Sequence, residues 1–466
     1  MKALLGLSRR TEARRFVSAF SSRFSSTFLS FFVLLTASHF LSTQEYGLYV
    51  FLFSIGSALG LIAVLGQQIL VVKRYQRNED AGHRLNQALI SVNARWLALG
   101  CGLLIVAAVL FFILADRLPE PYRHLWVALA FAAVFAVSEY LQNYFRIHGR
   151  INLSLVPREI VWRGASILCI AAAGLIGYRA DGEVVMAIVT VLLGATTLYQ
   201  AVAFTRGEGW GWLARHDDVP AETRGIWRRE SLYFIANNIL NSSSAYLETI
   251  LIGAVLGLDK AGFYFVALRI AMLLTLPVAA IDTVGIPMIA ARFQKSDNEG
   301  AQLLIGRLSF ASFCISLLGA LVLAMIAPFV LSIFNADFAQ HADVLTALCV
   351  LSVSQAFFGP GSWLLMIGGG ERFFLIARAV IFVFYLGLLY GLAQIGGLMG
   401  IAIAGLFMTL ASNLAAWHWI KRTYGIDNMA TAFFKPFVFQ RPTKIEPRRS
   451  GPGGDPADAA AKTAVH

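Results

Sequence analysis

Glu248 is the only charged residue between Ser231 and Leu258, and Arg269 the only one between Ala261 and Ile281. An ionisable group held in hydrocarbon costs from about 2.5 kcal/mol upward and marks a functional site by default. A guanidinium offers a rigid fork that grips phosphate or carboxylate oxygens two at a time. A carboxylate beside it can act as counter-ion or exchange a proton or cation. The midpoint of 248 and 269 falls between Leu258 and Asp259, where a hairpin turn is expected. Antiparallel helices would therefore bring the two to one depth, about 15 Å from the turn at 1.5 Å per residue. Asn237, Asn241, Ser244 and Glu248 recur at i, i+4, i+7 and i+11, one face of a helix that should line water or a polar partner. The structural alternative is an ion pair between neighbouring helices, with the amides and hydroxyls joining helices to each other.

Other polar residues interrupt apolar runs. Asp282 stands between Pro277 and Pro287, about 20 Å along the helix from Arg269 and some 140° around it. It reaches that residue only if Pro277, which removes a helical hydrogen bond, kinks the chain. A hinge with a polar gate and a plain helix end are both open readings. Glu139 and Arg163 flank an expected hairpin and can pair across it, as a structural contact or a coupling element. Arg95 and Arg378 sit one to two turns inside their segments, where long side chains snorkel back to water; they suit substrate entry or a lipid-phosphate anchor. Gln67, Gln68 and Gln355 could hydrogen-bond a sugar or a neighbouring helix.

Several chemistries have no residues to run them. There is no Gly-x-x-x-x-Gly-Lys phosphate loop, and Gly368-Gly369-Gly370 reads as a loop break. Cys101, Cys169, Cys314 and Cys349 lie in apolar runs without disulfide or metal spacing. The histidines are scattered. No cofactor, metal or catalytic group is expected, and the chain does not read as an enzyme.

The elements that must carry these residues follow from composition. Of 466 residues, 58% are hydrophobic and 14% charged, against about 45–50% and about 25% in soluble domains. Mean hydropathy is +0.67. The spacing predicts an all-α membrane protein with twelve spans, at roughly 20–41, 47–70, 87–114, 124–145, 157–178, 184–204, 231–256, 261–290, 305–334, 343–367, 373–394 and 397–420. Of 38 Lys and Arg, 33 fall at the termini, in the central linker or near alternate connections; only Arg117, Arg123, Arg179 and Lys260 fall on the opposite side. That alternation puts both termini in the cytoplasm and accounts for the net charge of +11 without nucleic acid. The expected plan is a basic N-terminus (1–19), a first six-helix bundle (20–204), a cytoplasmic linker (205–229), a second bundle (230–420) and a disordered cytoplasmic tail (421–466). The outer connections are short, the longest near Asp116 to His124.

The halves repeat. Gln44-Glu45-Tyr46-Gly47-Leu48-Tyr49 matches Asp259-Lys260-Ala261-Gly262-Phe263-Tyr264, Arg74-Tyr75-Gln76 matches Arg292-Phe293-Gln294, and Gly149 and Arg158 match Gly369 and Arg378. Six spans per half make this a parallel repeat about an axis along the membrane normal. Leu41 to Tyr49, the Gly-rich span ending at Gly66, and Arg74-Tyr75 resemble the start of the bacterial Wzx-type polysaccharide flippases of the multidrug and lipid-linked oligosaccharide exporter superfamily. Gly262-Phe263-Tyr264-Phe265-Val266-Ala267-Leu268-Arg269 resembles that family's signature between its seventh and eighth helices.

The resemblance covers about residues 15–425. It implies two six-helix bundles around a V-shaped cavity, in the bacterial inner membrane. It also implies movement of undecaprenyl-pyrophosphate-linked oligosaccharide between leaflets for O-antigen, capsule or exopolysaccharide. Arg269 would then hold the pyrophosphate and Glu248 balance it, in a monomer that meets anionic lipids and the polysaccharide polymerase and chain-length machinery. A cation-coupled multidrug or metabolite antiporter of the same superfamily is the rival, since an acidic seventh helix resembles its coupling site. Against it, the first span has no carboxylate and the tenth carries Gln355 in place of an acid. A membrane glycan polymerase fits the short outer loops poorly, and a non-transporting scaffold is a further reading.

Overall fold

The computed structural model describes residues 25–75, 79–176, 181–209, 220–294, 297–367 and 369–434. The basic N-terminus to residue 24, the middle of the linker (210–219) and the tail beyond 434 lie outside the described residues. Among those described, every regular element is helical.

Twelve passes account for the helices. The first six are α1 (Ser25–Phe40); α2 (Thr43–Ala63) with α3 (Gln67–Arg74); α4 (Glu79–Ile113); α5 (Leu125–Ile147); α6 (Ile151–Leu155) with α7 (Trp162–Leu175); and α8 (Gly182–Glu208). The second six are α9 (Ala221–Val255); α10 (Leu258–Met272) with α11 (Leu276–Gln294); α12 (Asn298–Phe334); α13 (Ala342–Phe357) with α14 (Gly361–Ile367); α15 (371–396); and α16 (398–424). Among the described residues, seven helical stretches are by themselves long and apolar enough to cross a membrane. Several passes are jointed, and each joint has a local cause.

Leu65 and Gly66 take positive φ (52° and 75°) between α2 and α3. A π-helical segment, Val156–Val161, with Pro157 as its second residue, joins α6 to α7. A 3₁₀ turn, Leu273–Thr275, precedes Pro277, whose missing N–H leaves the carbonyl four residues back without its helical donor. Gly359 (φ 56°) and Pro360 part α13 from α14. Gly397 (φ 53°, ψ −131°) alone turns α15 into α16; a Cβ on Gly400 would fall 2.0 Å from the Leu392 carbonyl oxygen, so the chain doubles back there. The repeat-matched glycines Gly149 and Gly369 share left-handed backbone, φ 69° and 77°, which L-residues with a Cβ adopt at a cost.

The chain divides into two compact units: Met1–Leu273 with Ala320–Leu351 and Arg378–Met408, and Leu274–Gly319 with Ser352–Ala377 and Thr409–His466. In the first, the repeat motifs meet. A Cβ on Gly262 would lie 3.2 Å from the Gly47 Cα, and one on Gly47 only 1.9 Å from the Leu258 carbonyl oxygen. Around this crossing, at the ends away from the basic connections, Phe31 packs edge-on against Phe334, and Tyr46 and Phe263 both meet Phe338. Asn335 donates to the Thr43 hydroxyl. The result is an aromatic plug between elements of the two sequence halves.

At the basic ends of the same unit, Glu230 on α9 takes two hydrogen bonds from Arg74, at 2.7 and 2.8 Å, and an ion pair from Lys73 at 2.8 Å. Burial pushes the Glu230 carboxyl up, but the bonds from Arg74 and Lys73 outweigh it and hold it below the usual carboxylate range. Lipid-facing character is plain on α4, where Leu103, Val106, Leu110 and Ile113 are exposed.

The second unit has its own core of Ile289, Ile305, Leu364, Leu365, Ala416 and Ile420. Here the structure corrects the boundary of the expected tail. Residues 421–434 are ordered: α16 runs to Tyr424, and a strap from Gly425 to Phe434 folds back onto α12 and the α13–α14 joint. Polar side chains, absent from an apolar count, hold it there.

Candidate functional site

The first unit carries several charged centres besides that at Glu230, and three of them bear on the predicted site. The first is a buried network on α5, the π segment and α7. Arg158, 6% exposed, donates to Glu139 and to Gln142, each at 2.5 Å, and its guanidinium lies 4.5 Å from the Phe135 ring centre. Gln142 donates to Glu159 at 3.1 Å. Glu159 pairs with Arg163 and accepts from the Ser26 hydroxyl on α1; Arg163 also bonds Ser26, at 2.7 Å. Two guanidiniums face two carboxylates, so the network is neutral. A π segment inside a helix is often found at functional positions, and this one sets both Arg158 and Glu159 inward.

The expected Glu139–Arg163 pair is therefore not formed. Gly149 is the turn residue, and the midpoint of 139 and 158 falls between His148 and Gly149, whereas that of 139 and 163 misses the turn by two residues. Arg158 meets Glu139, and Arg163 is left to Glu159 one turn away.

The second centre is Glu248, 7% exposed. Its carboxyl oxygens accept hydrogen bonds of 2.8 Å from Tyr264 on α10 and 2.8 Å from Tyr385 on α15. A Cβ on Gly405 would sit 2.7 Å from one of them, so α16 closes over the carboxyl with a residue that has no side chain. No cation among the described residues pairs with it.

The third is Arg269, half-buried, with its guanidinium 4.7 Å from the Phe265 ring centre and 5.9 Å from that of Tyr246. Among the described residues no carboxylate reaches it within ion-pair distance. The expected Glu248–Arg269 pair is thus also absent. The turn lies at Leu256–Gly257, with Gly257 at φ 115°, two residues earlier than expected. Glu248 is level with Tyr264, and Arg269 is five residues farther, about 140° around α10.

Other expected residues are dispersed. Asn237 is half-buried, while its neighbour Asn238 is buried and donates to the Leu61 carbonyl at 3.4 Å. The side chains of Asn241, Ser244 and Pro277 lie outside the described residues. Asp282 belongs to the second unit and is half-buried. Arg95 is exposed on α4, and Arg378 is half-buried on α15. Gln67 is fully buried and donates to Ser231 at 3.2 Å and to the Leu65 carbonyl at 2.8 Å, so it joins helices. No group of His, Cys, Asp and Glu that could hold a metal occurs among the described residues.

Tyr246, Tyr264, Tyr385, Arg158 and Glu159 were not singled out as site residues from sequence. A signal existed for Arg158, whose repeat match is Arg378. Tyr264 lay within the quoted motif; Tyr385 had none.

Comparison with known proteins gives a consistent picture. A family model described as polysaccharide biosynthesis protein matches residues 13–293. No curated protein matches. Among solved structures, an inward-facing multidrug resistance MATE family transporter of the MOP superfamily superposes with a TM-score of 0.65 at 16% identity, covering 84% of this chain and 93% of that one. A MOP superfamily transporter from Pyrococcus furiosus, for which a reversed polarity of the binding pocket suggests a different function, gives 0.54 at 17% identity, with 87% and 94% covered. A Vibrio cholerae MATE transporter gives 0.52 at 16% identity, with 91% and 100% covered. At such identities the likeness shows the fold.

Proposed function

Because the chain belongs to the polysaccharide biosynthesis protein family, we propose that this multi-pass transporter carries undecaprenyl-pyrophosphate-linked oligosaccharide from the inner to the outer leaflet of a bacterial inner membrane. The observation that carries this reading is Arg269. It is a guanidinium within an apolar helix, held on two aromatic faces, with no carboxylate among the described residues to neutralise it. Ring faces lower the cost of a desolvated cation without using its N–H donors, which can grip phosphate oxygens in pairs. Arg158 is the contrast: buried and paired with Glu139, it supports the fold. The plug around Gly47 and Gly262 supports alternating access, since a cargo passing between leaflets requires such a seal to part.

The test is complementation of a bacterial strain lacking its polysaccharide flippase, with wild type, Arg269→Ala and Arg269→Lys at matched membrane levels. Wild type restores surface glycan and Arg269→Ala does not. Arg269→Lys keeps the charge but loses the fork, and restores less. Full activity of Arg269→Ala would end the assignment of this residue.

A second reading, a cation-coupled antiporter, is favoured by Glu248. A buried carboxyl facing only hydroxyls is stable as the acid and costly as the anion, so it can take up a proton or cation as the protein cycles. Wild type that raised resistance to cationic drugs, yet failed to restore glycan with a range of substrates, would replace the first reading by this one.

A further inference from the structure

Beyond α16 the chain is held by a set of buried polar contacts. Gln302 on α12 clamps the backbone of Asp427 from both sides: its amide donates to the Asp427 carbonyl at 2.8 Å, and the Asp427 N–H donates back at 2.7 Å. The Asp427 carboxylate accepts from Trp417 at 3.0 Å and from the Met429 N–H at 3.1 Å. Asn428 is 0% exposed and donates to the Phe358 carbonyl at the α13–α14 joint, at 2.5 Å.

What this clamp presents is apolar. The 3₁₀ turn Ala430–Phe434 lays Phe433 flat on Phe310 at 4.6 Å and Phe434 edge-on at 5.1 Å. The two rings remain 46% and 70% exposed. Arg307, Lys421 and Arg422 stand exposed on the same helix ends; no ion pair among the described residues involves either arginine. The sequence then continues with Lys435, Phe437, Phe439, Arg441, Lys444, Arg448 and Arg449, against the single acid Glu446.

We propose that this aromatic strap, together with Arg307 and Arg422 on the helices that carry it, is a binding surface for anionic phospholipid on the basic side of the membrane. Exposed aromatic rings fixed at the ends of spanning helices belong at headgroup level. The two arginines, in no ion pair among the described residues, select acidic over zwitterionic headgroups, at roughly fivefold per cation near the surface. Charge complementarity favours this occupant over a second copy of the chain, whose strap would bring the same charge.

The full chain is reconstituted in vesicles of phosphatidylcholine containing either tail-brominated phosphatidylcholine or tail-brominated phosphatidylglycerol at equal mole fraction. Phe434→Trp adds an emission read as the difference from wild type, which has nine tryptophans of its own. Brominated phosphatidylglycerol quenches the added emission several-fold more than brominated phosphatidylcholine. Arg307→Ala and Arg422→Ala each lower that preference, by up to about fivefold, and high salt lowers it too. Equal quenching by both lipids, or none by either, overturns the proposal; so does quenching that instead depends on protein density, which would assign the strap to a second copy. Native mass spectrometry of Arg307→Ala with Arg422→Ala, leaving Phe434 untouched, gives an independent reading: phosphatidylglycerol retained as in wild type would also refute it.

Discussion

Gly47→Ala is the sharpest test of the plug in the first unit. The added methyl would lie 1.9 Å from the Leu258 carbonyl oxygen and 2.3 Å from its carbon, both backbone atoms, and ordinary contact begins at 3.4 Å. Helices α2 and α10 must therefore move about 1.5 Å apart at this point. Tyr46, Phe263 and Phe338 are all buried around it, so the movement cannot be absorbed by a flexible side chain. Overpacking of this kind costs about 1–3 kcal/mol, equivalent to about 5–150-fold in a two-state equilibrium. That factor moves the population toward states with these ends apart. The assay is the labelling rate of Phe338→Cys by a membrane-impermeant thiol reagent, with and without Gly47→Ala, beside thermal stability in detergent. Gly102→Ala, where a Cβ meets nothing within 4 Å, is the control and leaves both unchanged. If Gly47→Ala also leaves both unchanged, the crossing tolerates a methyl and the tight-seal argument fails.

Glu139→Gln strands Arg158 in its pocket and lowers stability to unfolding by about 3–5 kcal/mol, while Glu139→Leu combined with Arg158→Met costs less than either change alone. Glu248→Leu leaves the Tyr264 and Tyr385 hydroxyls without their acceptor, at about 1–3 kcal/mol each; Glu248→Gln keeps an acceptor and stays near wild type in melting temperature, so a transport loss in Glu248→Gln isolates the need for an ionisable group. At the basic end, Glu230 is a carboxyl held below its ordinary range, so its contribution is present above the unfolded value and lost as pH falls through the folded one. The melting difference between wild type and Glu230→Gln, about 0.2–1 kcal/mol for so exposed a cluster, is therefore present at pH 7 and vanishes in acid.

The twelve passes were legible because hydropathy and the alternation of Lys and Arg are statistical over many residues. Pairing was less so, because it depends on register to within one residue. Glu139 finds Arg158 and Glu248 finds Tyr264 at spacings that centre on Gly149 and near Gly257, the residues with left-handed backbone. Placing the second turn at Leu258–Asp259 displaced the pairing by enough to choose Arg269, on the wrong side of α10. Depth was nearly right and azimuth was not. Tyr385 could not be found this way, since it comes from a helix more than a hundred residues away whose packing no local pattern records. The strap was missed for a related reason: Gln302, Asp427 and Asn428 look like solvent-seeking residues until their partners are known.

The turn at Gly397 has a consequence for how this protein can vary. Tyr385 lies twelve residues before it and Gly405 eight after, and both address the same carboxyl of Glu248. A longer loop would let each helix take up its own rotation, but a one-residue reversal locks their angular phases together. A single inserted residue would twist one helix about 100° relative to the other, carrying either the hydroxyl or the bare glycine away. Substitutions near this hairpin can be absorbed one at a time, whereas changes in its length act like a gear slipping a tooth.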